Sequence, residues 1–110
     1  MGYAKDGGFQ SRSRGRYTAM IESFKHKGLQ VLFETGSKKG INPRLAPKLL
    51  DILDLLDAAS DVEDMRFPGS RLHQWKGNVD TWSVDVTGNW RIIFEFHDGS
   101  AYVVDLVDPH

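Results

Sequence analysis

The chain has 110 residues, 40% of them apolar and 26% charged, with a net charge of −1 and no cysteine. That length buries the core of one ordinary domain, and no apolar run approaches the roughly 20 residues that span a bilayer. Zero cysteine excludes disulfides, thiolate metal sites and cysteine nucleophiles, and a general grip on nucleic acid would need a more basic chain. A cytoplasmic protein with no membrane contact is the expectation.

The charge is unevenly spread. Residues 1–19 carry Lys5, Arg12, Arg14 and Arg16 against Asp6, with glycine and serine among them. Lacking periodicity, they read as a disordered extension or an added leader, with a basic arm that touches a partner as the alternative. The domain is then expected over 20–110, which holds 10 of the 14 basic and 14 of the 15 acidic residues.

Met20 to Phe24 reads as a short strand. Lys25 to Thr35 places Leu29, Leu32 and Phe33 at helical spacing, and Gly36 reads as the stop. Ser37 to Gly40 is a loop. Asn42-Pro43 resembles a helix start, but Pro47 moves the regular helix toward Ala46. Leu45, Leu49, Ile52, Leu53 and Leu56 then form one apolar stripe, with Lys48, Asp51, Asp54 and Asp57 largely on the other side. Between Ser60 and Pro68 the periodicity stops, and Asp61, Glu63 and Asp64 read as a solvated run. A turn at Phe67-Pro68-Gly69 leads into Arg71–Gly77, expected as a short strand with Leu72 on one side.

The clearest pattern follows. Trp82, Val84 and Val86 alternate with polar residues, and after Thr87-Gly88-Asn89 the alternation resumes as Trp90, Ile92, Phe94 and Phe96. Period two gives a strand one buried and one open face, and Gly88-Asn89 suits a tight hairpin. A second turn at His97–Ser100 and a strand from Ala101 to Val107 complete an antiparallel meander. Two helices followed by a meander predict an α+β domain with the helices on one face of a small, mainly antiparallel sheet. Arg91, Ser83 and Asp85 fall on the open face.

Few residues carry chemistry. His26, His73, His97 and His110 have no metal-ligand spacing, no glycine-rich phosphate loop is present, and no serine sits in a nucleophile elbow. Neither a metal nor a cofactor is expected. What remains is His73 and Lys76 on one strand, Arg91 on the open face, and Asp108-Pro109-His110 at the end of the last strand. Two imidazoles and cations suit cleavage of RNA, whose 2′-OH is its own nucleophile. Such cleavage needs a base, an acid for the leaving oxygen, and positive charge near the phosphorus. A histidine on a surface strand and a terminal histidine without a task compete with that reading. His26 and His97 read as surface residues.

Met20-Ile21-Glu22-Ser23-Phe24-Lys25-His26-Lys27-Gly28-Leu29, Arg71-Leu72-His73-Gln74-Trp75-Lys76-Gly77, Trp82-Ser83-Val84, Asn89-Trp90-Arg91-Ile92 and Val107-Asp108-Pro109-His110 together resemble HigB-type toxins. These are "plasmid maintenance killer" proteins of the RelE/ParE superfamily, and the resemblance runs from Met20 to His110. It implies an endoribonuclease that cuts mRNA in the A site of the 30S subunit and is silenced by a HigA-type helix-turn-helix antitoxin. It implies a monomer when free and a hetero-oligomer with that antitoxin. By the same resemblance His73 is the acid or base, Lys76 binds phosphate, Arg91 stabilises the transition state, and Asp108 and His110 close the site. Pro109 departs from the tyrosine of many relatives, removing a ring on which a base could stack. Lys25, Lys27, Lys48 and Arg71 are the expected contacts to ribosomal RNA phosphates. A ParE-like gyrase poison and a degenerate toxin that only binds its antitoxin are the alternatives.

Overall fold

The computed structural model describes residues 20–108; the expected extension over 1–19, and Pro109 and His110, lie outside the described residues. The described chain forms α1 (Lys27–Thr35), α2 (Ala46–Ala58), β1 (His73–Gln74), β2 (Thr81–Thr87), β3 (Trp90–His97) and β4 (Ser100–Val107). The four strands make one antiparallel sheet in sequence order. This is the α+β arrangement expected.

Helix α1 starts two residues later than the apolar spacing suggests, because His26 is its cap: Nδ1 accepts from the Leu29 N–H at 3.1 Å. It ends at Gly36, whose φ of 80° lets its N–H reach the Leu32 carbonyl. Helix α2 begins at Ala46, as Pro47 requires, while Asn42 closes only a preceding turn by accepting from the Arg44 N–H. Leu49, Ile52, Leu53 and Leu56 of α2 join Leu29 and Leu32 of α1 in a core completed by Val84, Ile92, Phe94 and Val104 of the sheet. The helices therefore cover one sheet face and leave the other open.

Three expectations change. Asp57 is buried rather than solvated, because its Oδ1 accepts from the Ile21 N–H at 3.0 Å. That bond ties residues 20–24 to α2. The segment itself meets the outer edge of β4 in two isolated parallel bridges, Ile21 with Ala101 and Phe24 with Val104, and is no regular strand. The acidic run at 61–64 is exposed but structured: Asp61 and Asp64 form a reciprocal capping box on a 3-10 turn, Val62–Met65. That turn seats Met65, which is fully buried.

The hairpins fall where expected. Asp98 and Gly99 both have positive φ (49° and 79°), which matches the twist of a two-residue hairpin. Opposite Phe94, β4 spends one extra residue between Tyr102 and Asp105, a β-bulge. Its residue Val103 has φ of 47°, a conformation that costs a β-branched side chain about 1–3 kcal/mol.

Candidate active site on the open sheet face

The strand expected over Arg71–Gly77 is only two residues long. Arg71 and Lys76 both take positive φ (48° and 52°), so the backbone turns away on either side of His73–Gln74. Between these bends His73 pairs with Ser83, Ser83 with Ile93, and Ile93 with Asp105. Residues directly opposite in antiparallel pairs share a face, so this row crosses the face away from the helices, where His73 is exposed but Ser83 and Ile93 are buried rather than open, while Leu72 points into the core. In the adjoining row Asp85 pairs with Arg91, and Arg91 with Val107. His73 and Arg91 are thus two strands apart and two residues offset, about 12 Å between their backbones.

His73 is exposed, and its Nδ1 lies 2.7 Å from the Arg71 carbonyl oxygen. A carbonyl can only accept, so Nδ1 carries the proton and Nε2 is the basic nitrogen of the neutral ring. A histidine held this way is ready to take or return a proton at Nε2. Lys76 is exposed beside it, its Nζ 5.2 Å from the Trp75 ring centroid.

Arg91 lies on the open face as expected, but not as an unpaired cation. Its Nε lies 3.0 Å from Asp85 Oδ1, and its Nη1 donates to the Gly88 and Trp90 carbonyls at 3.2 Å each. Among the described residues these contacts fix the guanidinium through Nε and Nη1, and its side chain is 22% exposed. Arg71 approaches the other oxygen of Asp85 at 3.5 Å. One carboxylate thus gathers two guanidinium groups, which together with it carry one net positive charge beside His73.

Asp108 directly follows Val107, the residue opposite Arg91, so the chain leaves β4 next to the arginine. Of the expected phosphate contacts, Arg71 and Lys25 stand on the open face, Lys27 is exposed on the first residue of α1, and Lys48 is exposed in the helical layer across the sheet. The four do not form one patch. Among the described residues no group of three or more His, Asp or Glu side chains could hold a metal, and no helix is long and apolar enough to cross a membrane.

Sequence reasoning missed several groups. In the sequence Asp85 reads as polar and no more, and nothing there gives Trp75 a role. A groove of about 320 Å³ opens on the same face, lined by Lys25, Trp75, Thr81, Glu95, Val103 and Asp105 among others. His97 is more than a surface residue: its Nε2 lies 3.1 Å from Glu95 Oε1 and its Nδ1 3.9 Å from Asp80 Oδ2.

The bond to Glu95 raises the pKa of His97 above the ordinary 6.5; desolvation opposes it, and the charges of Asp80, Glu95 and Asp98 add to the rise. The folded state then holds this proton more tightly than the unfolded chain. Its contribution to stability is complete below about pH 6.5 and is lost as pH rises through the folded pKa. Thermal unfolding of wild type and His97→Gln should show the widest gap in melting temperature below pH 6.5 and a closing gap above it. A gap independent of pH would remove the proton from the account.

A family model described as the RelE-like toxin of the type II toxin–antitoxin system HigB matches residues 22–110. The chain belongs to this family of HigB-like toxins. It is also 39% identical over 92 residues to Endoribonuclease HigB of Proteus vulgaris, a match covering 83% of this chain and 100% of that protein. Membership of a type II toxin–antitoxin family implies an antitoxin partner for this HigB-like toxin.

Proposed function

We propose that this HigB-like toxin is an endoribonuclease that cuts mRNA in the ribosomal A site by attack of the 2′-OH on the adjacent phosphorus. The observation that carries the reading is His73, its tautomer set by the Arg71 carbonyl, on one sheet face with an arginine fixed by three contacts. The endoribonuclease named among its relatives supports it.

In the reaction a base takes the 2′-OH proton as the oxygen bonds to phosphorus. The bond from phosphorus to the 5′-oxygen breaks, and an acid returns a proton to that oxygen. The products are a 2′,3′-cyclic phosphate and a 5′-hydroxyl. His73 performs one proton transfer through Nε2 and His110 the other, with Asp108 beside it. Arg91, held by Asp85, meets the charge that builds on the phosphoryl oxygens, and Lys76 neutralises phosphate as a mobile point charge. The chain supplies both proton carriers and the charge, so the reaction draws on no cofactor.

The acidic domain fits a nuclease that does not hold free RNA: the ribosome presents the message, while Lys25, Lys27, Lys48 and Arg71 touch ribosomal RNA phosphates. The protein then acts in the cytoplasm. A HigA-type antitoxin silences it in a hetero-oligomer, and the free toxin is a monomer. End chemistry tests the reaction type. Fragments from a translating extract should carry a 2′,3′-cyclic phosphate upstream and a 5′-hydroxyl downstream; a 5′-phosphate would rule out attack by the 2′-OH.

A further inference from the structure

We propose that the groove beside His73 is a subsite for one nucleobase of the message, where Glu95 and Asp105 select a base bearing an exocyclic amino group. The proposal rests on the nuclease reading. Position comes first. Ile93 in the groove belongs to the row that starts at His73 and ends at Asp105. At about 4.8 Å per strand, Ile93 lies roughly 10 Å and Asp105 roughly 14 Å from His73, so the base belongs to a nucleotide close to the scissile bond.

The lining suits a ring rather than a backbone. Trp75 offers an aromatic face, and Ile93 and Val103 add apolar surface. About 320 Å³ is the lower end of the range for small-molecule sites, enough for one ring system. Val103 reaches this wall only through the bulge, held in its left-handed conformation while its N–H donates to Ser23 Oγ at 2.9 Å. Lys25 supplies a cation for the nucleotide's phosphate.

The polar groups set the choice of base. Ionised carboxylates only accept hydrogen bonds, and they repel phosphate, so Glu95 and Asp105 are misplaced for gripping the RNA backbone. Glu95 Oε1 accepts from His97, and Asp105 Oδ1 accepts from the Leu106 N–H at 2.9 Å. Each carboxylate keeps a second oxygen outside those bonds. Adenine, cytosine and guanine bring an exocyclic amino N–H to such an oxygen, whereas uracil has none and flanks its single N3–H with two carbonyl oxygens that a carboxylate repels.

The test uses programmed ribosomes carrying messages that differ by A, C, G or U at each position around the cut. Single-turnover cleavage is followed for wild type, Glu95→Gln, Asp105→Asn and the double variant. At one position the wild type should cut the three amino-bearing bases roughly tenfold or more faster than uridine. The double variant, whose amides can donate to uracil, should bring that ratio close to one. Cleavage with the ratio unchanged in the double variant, or no discrimination by the wild type at any position, would overturn the subsite and leave the nuclease standing. No cleavage by the wild type of any message would overturn both.

Should the double variant not fold, wild type is titrated with cytidine and uridine monophosphates and followed by NMR at the methyls of Ile93 and Val103. Larger shifts with cytidine support the subsite; equal shifts, or none, overturn it.

Discussion

His73→Ala should lower the rate of mRNA cleavage by about 10²- to 10⁴-fold, the usual contribution of a positioned acid or base. The loss should fall on kcat, because the proton moves only in the transition state. Stability should hardly change. Among the described residues the exposed ring is held to the fold by the bond from Nδ1 to the Arg71 carbonyl, worth about 1 kcal/mol. His73→Asn separates geometry from chemistry, since its amide can still donate to that carbonyl yet has no basic nitrogen. It should be as slow as His73→Ala. Lys76→Ala should act mainly on KM, as expected of a flexible cation on phosphate. Stopped-time assays with saturating and limiting ribosomes separate the two constants. A His73→Ala enzyme within threefold of wild type would remove the histidine from the chemistry.

Gly28→Ala should destabilise the fold by about 1–3 kcal/mol, the cost of overpacking a site that cannot relax. Helix propensity alone predicts the opposite sign, since alanine in place of a helical glycine ordinarily gains about 1 kcal/mol. Here the new Cβ would lie 2.7 Å from the Gly40 carbonyl oxygen and 2.9 Å from His26 Cε1. The oxygen is backbone, and the His26 ring is held by its cap on Leu29, so neither yields cheaply. Gly36→Ala is the control: a Cβ there meets nothing within 4 Å, and only the positive φ opposes it. That change should cost about 1 kcal/mol. Chemical denaturation of the two variants checks the order. A Gly28→Ala protein more stable than wild type would show that the loop at Gly40 moves aside.

The parts of the fold that were legible in the sequence are those set by local pattern. Trp90, Ile92, Phe94 and Phe96 alternate because one face is core, and Leu49, Ile52, Leu53 and Leu56 recur at helical spacing for the same reason. Gly36 and Asp98-Gly99 mark their own turns. What stayed hidden depends on partners distant in sequence or on unusual backbone. Asp57 looks like a solvated helix residue until Ile21, 36 residues away, brings its N–H to it. Arg71, Lys76 and Val103 take left-handed φ without being glycine or asparagine, so neither the short β1 nor the bulge announces itself. In the site, His73, Lys76 and Arg91 were legible as types suited to RNA cleavage, and the resemblance assigned their roles. The clamp by Asp85 depends on strand register, which shifts between Asp85 and Thr87 and cannot be counted off the sequence. The groove is assembled from residues between Lys25 and Val107 and exists only in the fold.

On the function proposed above, the protein cuts a message that the ribosome presents. This is tested by mapping mRNA 3′ ends after adding wild-type protein to the same message alone and on ribosomes stalled at a known codon. A new end within the A-site codon is expected on ribosomes, with little cleavage of the naked message at physiological salt. Equal cleavage of both, or no new end on ribosomes, would contradict it.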